Sequence, residues 1–383
     1  MDRWCGLLRV SLDPKNVSSH FTVGASLCLS SLTNTLSEQV PSVNAILFNG
    51  DRVQCTGNPV IERLSDPQNI ASILVSKLGS SVNAWVVGAS TFNGPFAIYK
   101  EFLNSVNEWG EPPSYKSDGF PASTSIALLM SQCVNEAKKA VARFQRLSPT
   151  CKNPPESNDY RAIPKTIIFG FSKGGVVLNQ LLTELAISKT EPQLDLKITK
   201  MPCAKGSHEN PNVSLAKIPD FQKGGVIEIK EENPMPEKMT KMPLTEGACS
   251  SMENNGELYP NTRKENPVFA FSPREFMESM VEVHYVDVGL NCRGAYLTEK
   301  SVVEKITHLP FAGMRIVLHG TPRQWQDRRR TWIKAEKDMF MKLLRDEEER
   351  SEGKLRALER LYFAEKPPNM QMHFEIIECM NLD

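Results

Sequence analysis

Apolar residues recur along the chain in short runs, and the first of these runs predict strands. Trp4–Leu12 and Phe21–Leu29 are rich in β-forming residues, and the segment 13–16 between them has the turn sequence Asp-Pro-Lys-Asn. The chain is therefore predicted to begin with a β-hairpin. Asn44–Phe48 and Asn83–Val87 are continuous apolar runs, typical of strands that are buried on both faces of a sheet.

Segments with helical spacing of apolar residues lie between these strands. In Asp66–Leu78 the apolar side chains are three and four residues apart, Pro67 falls in the first turn, and Gly79 follows the last turn. Ser123–Phe144 predicts a second, longer helix. This alternation of strands and helices favours a mostly parallel sheet that is covered by helices on both faces.

The last third of the chain continues the alternation. In chain order the predicted elements are the helix Ser272–Met280, the strand Val281–Val288, the helix Thr298–His308, the strand Gly313–Leu318, a long helix or helix pair Arg328–Leu361, and the strand Tyr362–Ala364. The last two strands of the sheet are therefore predicted at Gly313–Leu318 and Tyr362–Ala364. A parallel sheet that begins with a hairpin favours an α/β-hydrolase-like fold over a dinucleotide-binding fold.

The composition changes between Lys189 and Pro267. Lys, Glu, Pro, Asn, Ser and Met dominate this stretch, and aromatic residues almost vanish. Such a segment cannot bury enough apolar surface to offset the entropy lost on ordering. We predict a flexible, disordered insertion at 189–267, with a structured lid as the alternative. The segments 1–188 and 268–383 are then two parts of one domain.

The totals exclude several classes of protein. Of 383 residues, 45 are Lys or Arg and 45 are Asp or Glu, so the formal net charge is zero. The overall charge therefore gives no indication of binding to nucleic acid. No apolar run is long enough to cross a bilayer, so no transmembrane segment is predicted. The sequence has neither a Gly-x-Gly-x-x-Gly motif after the first strand nor a Walker A loop, and no cofactor is predicted.

The cysteines and the first residues bear on the compartment. The nine cysteines are scattered, without a Cys-x-x-Cys pair or a Cys/His cluster, so we predict neither a metal site nor a disulfide framework. A reducing compartment, the cytoplasm, is the simplest expectation. No basic-then-apolar signal peptide begins the chain, and the first predicted strand leaves little room for a cleavable targeting segment.

The strongest chemical signal is a Gly-x-Ser-x-Gly motif formed by Gly170, Ser172 and Gly174. An apolar strand, Thr166–Phe169, comes before it, and apolar residues at helical spacing follow it. In a nucleophile elbow the serine is held in a strained strand-to-helix turn, and small residues on either side let strand and helix approach closely. The context therefore indicates that Ser172 is a nucleophile.

A serine hydroxyl needs a histidine that removes its proton and an acid that orients the histidine. In the hydrolase fold these groups follow one another along the chain as Ser, acid and His. Asp327 is the first acid after the predicted strand Gly313–Leu318, and His373 is the only histidine after the last predicted strand. The predicted triad is therefore Ser172, Asp327 and His373, with Asp287 at the end of the preceding strand as the alternative acid.

An oxyanion hole requires two backbone N–H donors, one after the nucleophile and one in the loop after the third strand. Lys173 and Gly50 are the predicted donors. Asp51, the next residue in that loop, would place a negative charge near a developing oxyanion. It would weaken catalysis unless it points away or makes a structural hydrogen bond.

The segment Gly170–Leu182 resembles the elbow of a poorly characterised eukaryotic α/β-hydrolase-like family. Its sequence is Gly-Phe-Ser-Lys-Gly-Gly followed by Val-Val-Leu-Asn-Gln-Leu-Leu. That family is named for an open reading frame on chromosome 2. Its C-terminal pattern is also similar to the segments 321–332 and 363–374 here. The resemblance implies a hydrolase fold and matches Ser172, Asp327 and His373 to the triad. The mitochondrial association of its animal members implies a mitochondrial location as the alternative.

Two functions follow from these patterns. The first is a serine hydrolase that cleaves an ester, thioester or amide of a small-molecule or acylated substrate through an acyl-enzyme. The second is a hydrolase-fold adaptor with weak or no activity, which binds a protein partner through the insertion 189–267 or through the long charged C-terminal helix. The three triad residues in order favour the enzyme, whereas Asp51 and the polar insertion favour the adaptor.

Overall fold

The computed structural model describes residues 2–13, 19–30, 35–36, 41–53, 56–146, 164–188, 272–307 and 313–383. The chain divides into two units, Met1–Asp195 with Glu265–Asp383, and Leu196–Lys264, and all of the described residues belong to the first. The predicted insertion at 189–267 lies outside the described residues, so its disorder stays a prediction. The helices and strands given below belong to the first unit.

An eight-stranded sheet forms the centre of the described part of this unit. The strands in chain order are β1 Arg3–Val10, β2 Phe21–Cys28, β3 Val43–Phe48, β4 Val82–Val87, β5 Thr91–Asn93, β6 Phe96–Ile98, β7 Lys165–Phe171, β8 Met280–Val286, β9 Met314–Gly320 and β10 Leu355–Leu361. The sheet order is β1-β2-β4-β3-β7-β8-β9-β10, while β5 and β6 pair as a separate hairpin. β2 is antiparallel to both β1 and β4, and all other neighbours in the large sheet are parallel.

Helices cover both faces of the sheet. In chain order they are α1 Pro59–Ser65, α2 Pro67–Leu78, α3 Pro121–Arg146, α4 Gly175–Leu185, α5 Pro273–Ser279, α6 Lys300–Ile306, α7 Pro322–Trp325, α8 Thr331–Arg350 and α9 Met370–Cys379. The core on one face contains residues of α3, α4, α5, α6 and α8, and the core on the other face contains residues of α1, α2 and α9.

Strand β3 shows why its sequence is apolar without alternation. Ile46 and Phe48 lie in the first core, and Ala45 and Leu47 lie in the second. Because successive side chains of a strand point to opposite faces, a strand covered on both faces needs apolar residues at every position. The predicted N-terminal hairpin and the mostly parallel, doubly covered sheet are both confirmed.

The region after α8 differs from the sequence-based expectation. The interpretation of Arg328–Leu361 as one helix or a helix pair is wrong beyond Arg350, and the last strand is β10 rather than Tyr362–Ala364. Glu352 and Gly353, with φ of 52° and 87°, reverse the chain between α8 and β10. Among the described strands, β10 pairs only with β9, at the edge of the sheet. Its sequence, Leu-Arg-Ala-Leu-Glu-Arg-Leu, is charged and lacks the apolar run that predicts a buried strand.

A buried carboxylate joins α3 to α4. Glu184 accepts hydrogen bonds from the Ala122 N–H at 2.7 Å, the Ser123 N–H at 2.8 Å and the Ser123 hydroxyl at 2.7 Å. These amides belong to the first turn of α3, where N–H groups have no partner within the helix. Burial raises the pKa of Glu184, although the hydrogen bonds act against that shift. Glu184 therefore fixes α3 against α4, the helix that follows the elbow.

We expect Glu184→Ala to lower the free energy of unfolding by about 2–4 kcal/mol, because two buried N–H groups lose their acceptor. Urea unfolding followed by circular dichroism measures this loss. Glu136→Ala is the matched control, because Glu136 forms an exposed ion pair with Lys139 and should change stability by less than about 0.5 kcal/mol. Equal losses in the two variants would contradict the capping role.

Candidate active site

Ser172 lies at the carboxyl end of β7, in a single turn of 3-10 helix, Ser172–Gly174, that leads into α4. Its φ of 54° is in the left-handed region, which a non-glycine residue adopts only when the surrounding structure enforces it. The residue is 9% exposed. The backbone at Ser172 thus has the strained conformation of a nucleophile elbow.

The glycines of the motif are required by close backbone contacts. A Cβ atom on Gly174 would overlap the carbonyl oxygen of Phe48 at the end of β3. A Cβ atom on Gly170 would lie 2.8 Å from the Cα atom of Gly175. The motif therefore reflects the approach of β7, α4 and the end of β3 to one another at the elbow.

His373 is in the first turns of α9, which is capped by Asn369. Its ring packs on Phe171, the residue before Ser172, with 4.7 Å between the ring centroids. Its Nδ1 atom lies 2.6 Å from Oδ2 of Asp287. Because a carboxylate can only accept, Nδ1 carries the proton of this hydrogen bond, and Nε2 is left with its lone pair. His373 therefore reaches the elbow with Nε2 able to accept a proton.

Asp287 directly follows β8 and is 0% exposed. Besides His373, it accepts hydrogen bonds from the Thr321 N–H at 2.7 Å and the Thr321 hydroxyl at 2.9 Å. Its φ of 45° is a second left-handed, non-glycine conformation at the carboxyl end of the sheet. A buried carboxylate with these donors is held in one orientation, with one oxygen turned to the histidine.

The structure thus places the alternative acid, Asp287, beside His373, and it places Asp327 elsewhere. Asp327 accepts hydrogen bonds from Arg330 Nε at 2.8 Å and from the Arg329 N–H at 2.9 Å. Burial alone would raise the pKa of Asp327, but these hydrogen bonds hold it below its usual range. Asp327 lies between α7 and α8, and its carboxylate is bound by the side chain of Arg330.

Thr321 is a site residue that the sequence analysis did not select. It follows β9 directly and binds Asp287 through both its N–H and its hydroxyl. Its hydroxyl oxygen also accepts from the Arg323 N–H at 3.2 Å, so Thr321 is the N-cap of α7. A Thr-Pro pair at the end of a strand is the signal that could have identified it, since Pro322 favours the first position of a helix.

The loop after β3 passes directly against Ser172. A Cβ atom on Gly50 would lie 2.6 Å from Cβ and 3.1 Å from Oγ of Ser172. The Gly50 N–H, however, donates to the side-chain oxygen of Asn49 at 2.9 Å, so it is not the open donor that we predicted. The Asp51 N–H makes no hydrogen bond within the described residues. The Asp51 N–H, which directly follows Gly50, is thus a candidate for the second donor in this loop.

Lys173, the other predicted donor, follows Ser172 in the helical turn, where N–H groups lack helical partners. Its side chain is buried, and Nζ lies 3.0 Å from Oδ1 of Asp51. The same carboxylate oxygen accepts a hydrogen bond from the Ala97 N–H of β6 at 2.8 Å. The negative charge expected beside the oxyanion site is therefore balanced by a lysine and a backbone amide.

Two further features concern the described part of the chain. No three His, Cys, Asp or Glu side chains there come close enough together to hold a metal ion. None of the helices in these ranges is both long enough and apolar enough to cross a membrane.

The sheet order, the N-terminal antiparallel strands and the strained serine turn after β7 define the α/β-hydrolase fold, which confirms the predicted fold class. The family model C2orf69 matches residues 268–349, the segment that contains Asp287 and Thr321. This match confirms the resemblance predicted from the sequence over that segment. No curated protein sequence matches the chain.

Several solved structures are similar to this chain, among them the following two. A siderophore hydrolase, EstB, from Aspergillus nidulans has a TM-score of 0.40 and 10% identity, with 98% of this chain and 90% of that chain covered. A protein assigned as a carboxylesterase, from Lactobacillus plantarum, has a TM-score of 0.35 and 7% identity, with 95% and 88% covered. The fold assignment rests on the strand order and the elbow of this chain.

Proposed function

We propose that this protein is a serine hydrolase that cleaves an ester, thioester or amide through an acyl-enzyme. The observation that carries the proposal is the position of His373. Its ring packs on Phe171, the residue before the strained elbow serine Ser172, and its Nδ1 atom is hydrogen-bonded to Asp287. The three side chains come from the ends of β7 and β8 and from α9, in the chain order Ser, Asp, His that the hydrolase fold uses.

The reaction begins when Oγ of Ser172 attacks the substrate carbonyl carbon while Nε2 of His373 takes the hydroxyl proton. The imidazolium that forms is stabilised by Asp287, which Thr321 keeps turned toward the ring. His373 then gives the proton to the leaving group, and the carbon–heteroatom bond breaks to leave the acyl-enzyme. Water, deprotonated by the same histidine, releases the acid and restores Ser172.

The oxyanion of each tetrahedral intermediate needs N–H donors in place before the reaction. Lys173 N–H supplies one, next to the nucleophile. The Asp51 N–H supplies the other, because Gly50 N–H is already bonded to Asn49. These groups, with the triad, account for the chemistry through side-chain and backbone atoms of the chain alone.

The adaptor function loses one of its two supports. The first support was the negative charge of Asp51, which would weaken catalysis if it were unpaired. That charge is paired with Lys173. Its other support, the insertion 189–267, lies outside the described residues. We therefore propose the hydrolase function and treat partner binding without catalysis as an outcome of its test.

A fluorophosphonate probe should label the purified full-length protein with one adduct per chain, because the probe reacts with activated serine hydroxyls. Ser172→Ala should abolish the adduct and leave the melting temperature within a few degrees of wild type. Intact-mass spectrometry measures the adduct, and circular dichroism checks the fold. A well-folded wild-type protein that takes up no label would refute the hydrolase and leave the adaptor.

Asp287 and Asp327 give a matched pair of variants. Asp287→Asn should slow fluorophosphonate labelling by about 10³-fold or more, because the amide cannot stabilise the imidazolium and favours the wrong tautomer of His373. Asp327→Asn should stay within about threefold of wild type, since its carboxylate contacts Arg330 and not the histidine. The second-order rate constant of labelling is the quantity to compare. If Asp327→Asn is labelled more slowly than Asp287→Asn, Asp327 and not Asp287 is the acid of the triad.

A further inference from the structure

Resting on the proposed hydrolase function, we propose that the side chain of Lys173 is a positioning residue for the oxyanion hole. Its ammonium group neutralises Asp51 and holds the loop after β3, so that the Asp51 N–H can serve the oxyanion. One residue then contributes twice, because the Lys173 backbone supplies one donor and its side chain secures the other. The assignment rests on the burial and the contacts of the pair.

The ammonium group of Lys173 is enclosed by three partners. Nζ lies 3.0 Å from Oδ1 of Asp51 and donates to the carbonyl oxygen of Trp109 at 2.7 Å. It also lies 4.6 Å from the centroid of the Phe96 ring, within the range of a cation–π interaction. The lysine side chain is only 3% exposed, and that of Asp51 is 30% exposed. Salt in the solvent therefore screens this pair much less than it screens a surface pair.

The carboxylate of Asp51 is fixed by two donors on the same oxygen. Besides Lys173, Oδ1 accepts the Ala97 N–H of β6 at 2.8 Å. The loop is held on its other side by Tyr99, whose hydroxyl donates to the carbonyl oxygen of Asn49 at 2.7 Å. The residue before Asp51 touches the nucleophile, and the backbone at Asp51 is therefore fixed close to the reacting atoms.

The charge of Asp51 makes this arrangement necessary. A Cβ atom on Gly50 would lie 3.1 Å from Oγ of Ser172, and Asp51 is the next residue of the same loop. An unpaired negative charge in this loop, in a partly desolvated site, would oppose the negative charge that develops on the oxyanion. Lys173 removes that repulsion while leaving the N–H of Asp51 in place. A neutral side chain at position 173 would leave the carboxylate uncompensated.

Four proteins test the proposal: wild type, Lys173→Met, Asp51→Asn, and the double variant. For each, the rate of fluorophosphonate labelling is measured over a range of probe concentrations, which separates the maximal rate kinact from the half-saturating concentration KI. Lys173→Met should lower kinact by about 100-fold with KI within about threefold, because an oxyanion hole acts in the transition state. Adding Asp51→Asn should restore kinact at least about tenfold, because asparagine carries no charge and its oxygen can still accept the Ala97 N–H.

The controls separate this role from a structural one. Lys139→Met removes an exposed ion pair with Glu136 and should leave kinact within about twofold of wild type. Melting temperatures allow every rate to be measured on fully folded protein. If Lys173→Met does not fold, Lys173→Gln, which keeps a hydrogen-bond donor, replaces it in both the single and the double variant.

The outcomes are distinct. Recovery of kinact in the double variant supports the neutralising role of Lys173. A double variant no faster than the single lysine variant would overturn it and leave the lysine with a packing role only. The proposal would also be overturned if Lys173→Met raises KI by the same factor by which it lowers kinact. Absence of labelling in folded wild type would instead show that the proposed hydrolase function has failed.

Discussion

The close contact between the serine turn and the end of β3 is the constraint on which the site depends. Gly174 packs on the carbonyl of Phe48, and Gly50 packs on Ser172, so that no side chain separates the two backbones. This contact holds Ser172 in a left-handed conformation and brings the loop after β3 beside its hydroxyl. The strained backbone at Ser172 is sustained by the packing of β3, β7 and α4, whose side chains lie in the buried cores on the two faces of the sheet.

Two polar arrangements complete the site on either side of that contact. On one side, Thr321 fixes Asp287, and Asp287 fixes His373. On the other, Lys173 balances the charge of Asp51. Each arrangement supplies a carboxylate with donors, and this stabilises the charge of Asp287, which is fully buried, and of Asp51, whose side chain is 30% exposed. In the proposed hydrolase, the first orients the base, and the second prepares the surroundings of the oxyanion.

Local sequence patterns predict the parts of this site that depend on local geometry. The apolar strand, the glycines and the helical spacing around Ser172 predict the elbow, because each is a requirement of one tight turn. The choice between Asp287 and Asp327 depends on where α9 places His373, a contact between residues far apart in the chain. The pairing of Asp51 with Lys173 is of the same kind, and spacing along the chain does not reveal it. Long-range packing therefore decides which charged residues meet.

A crystal structure of the full-length protein after reaction with a fluorophosphonate tests the central claim most directly. We expect phosphorus to be bonded to Oγ of Ser172. Its phosphoryl oxygen should accept hydrogen bonds from the N–H groups of Lys173 and Asp51, about 2.7–3.1 Å away, with His373 still bonded to Asp287. An adduct on another residue, or a phosphoryl oxygen turned away from both N–H groups, would contradict the account.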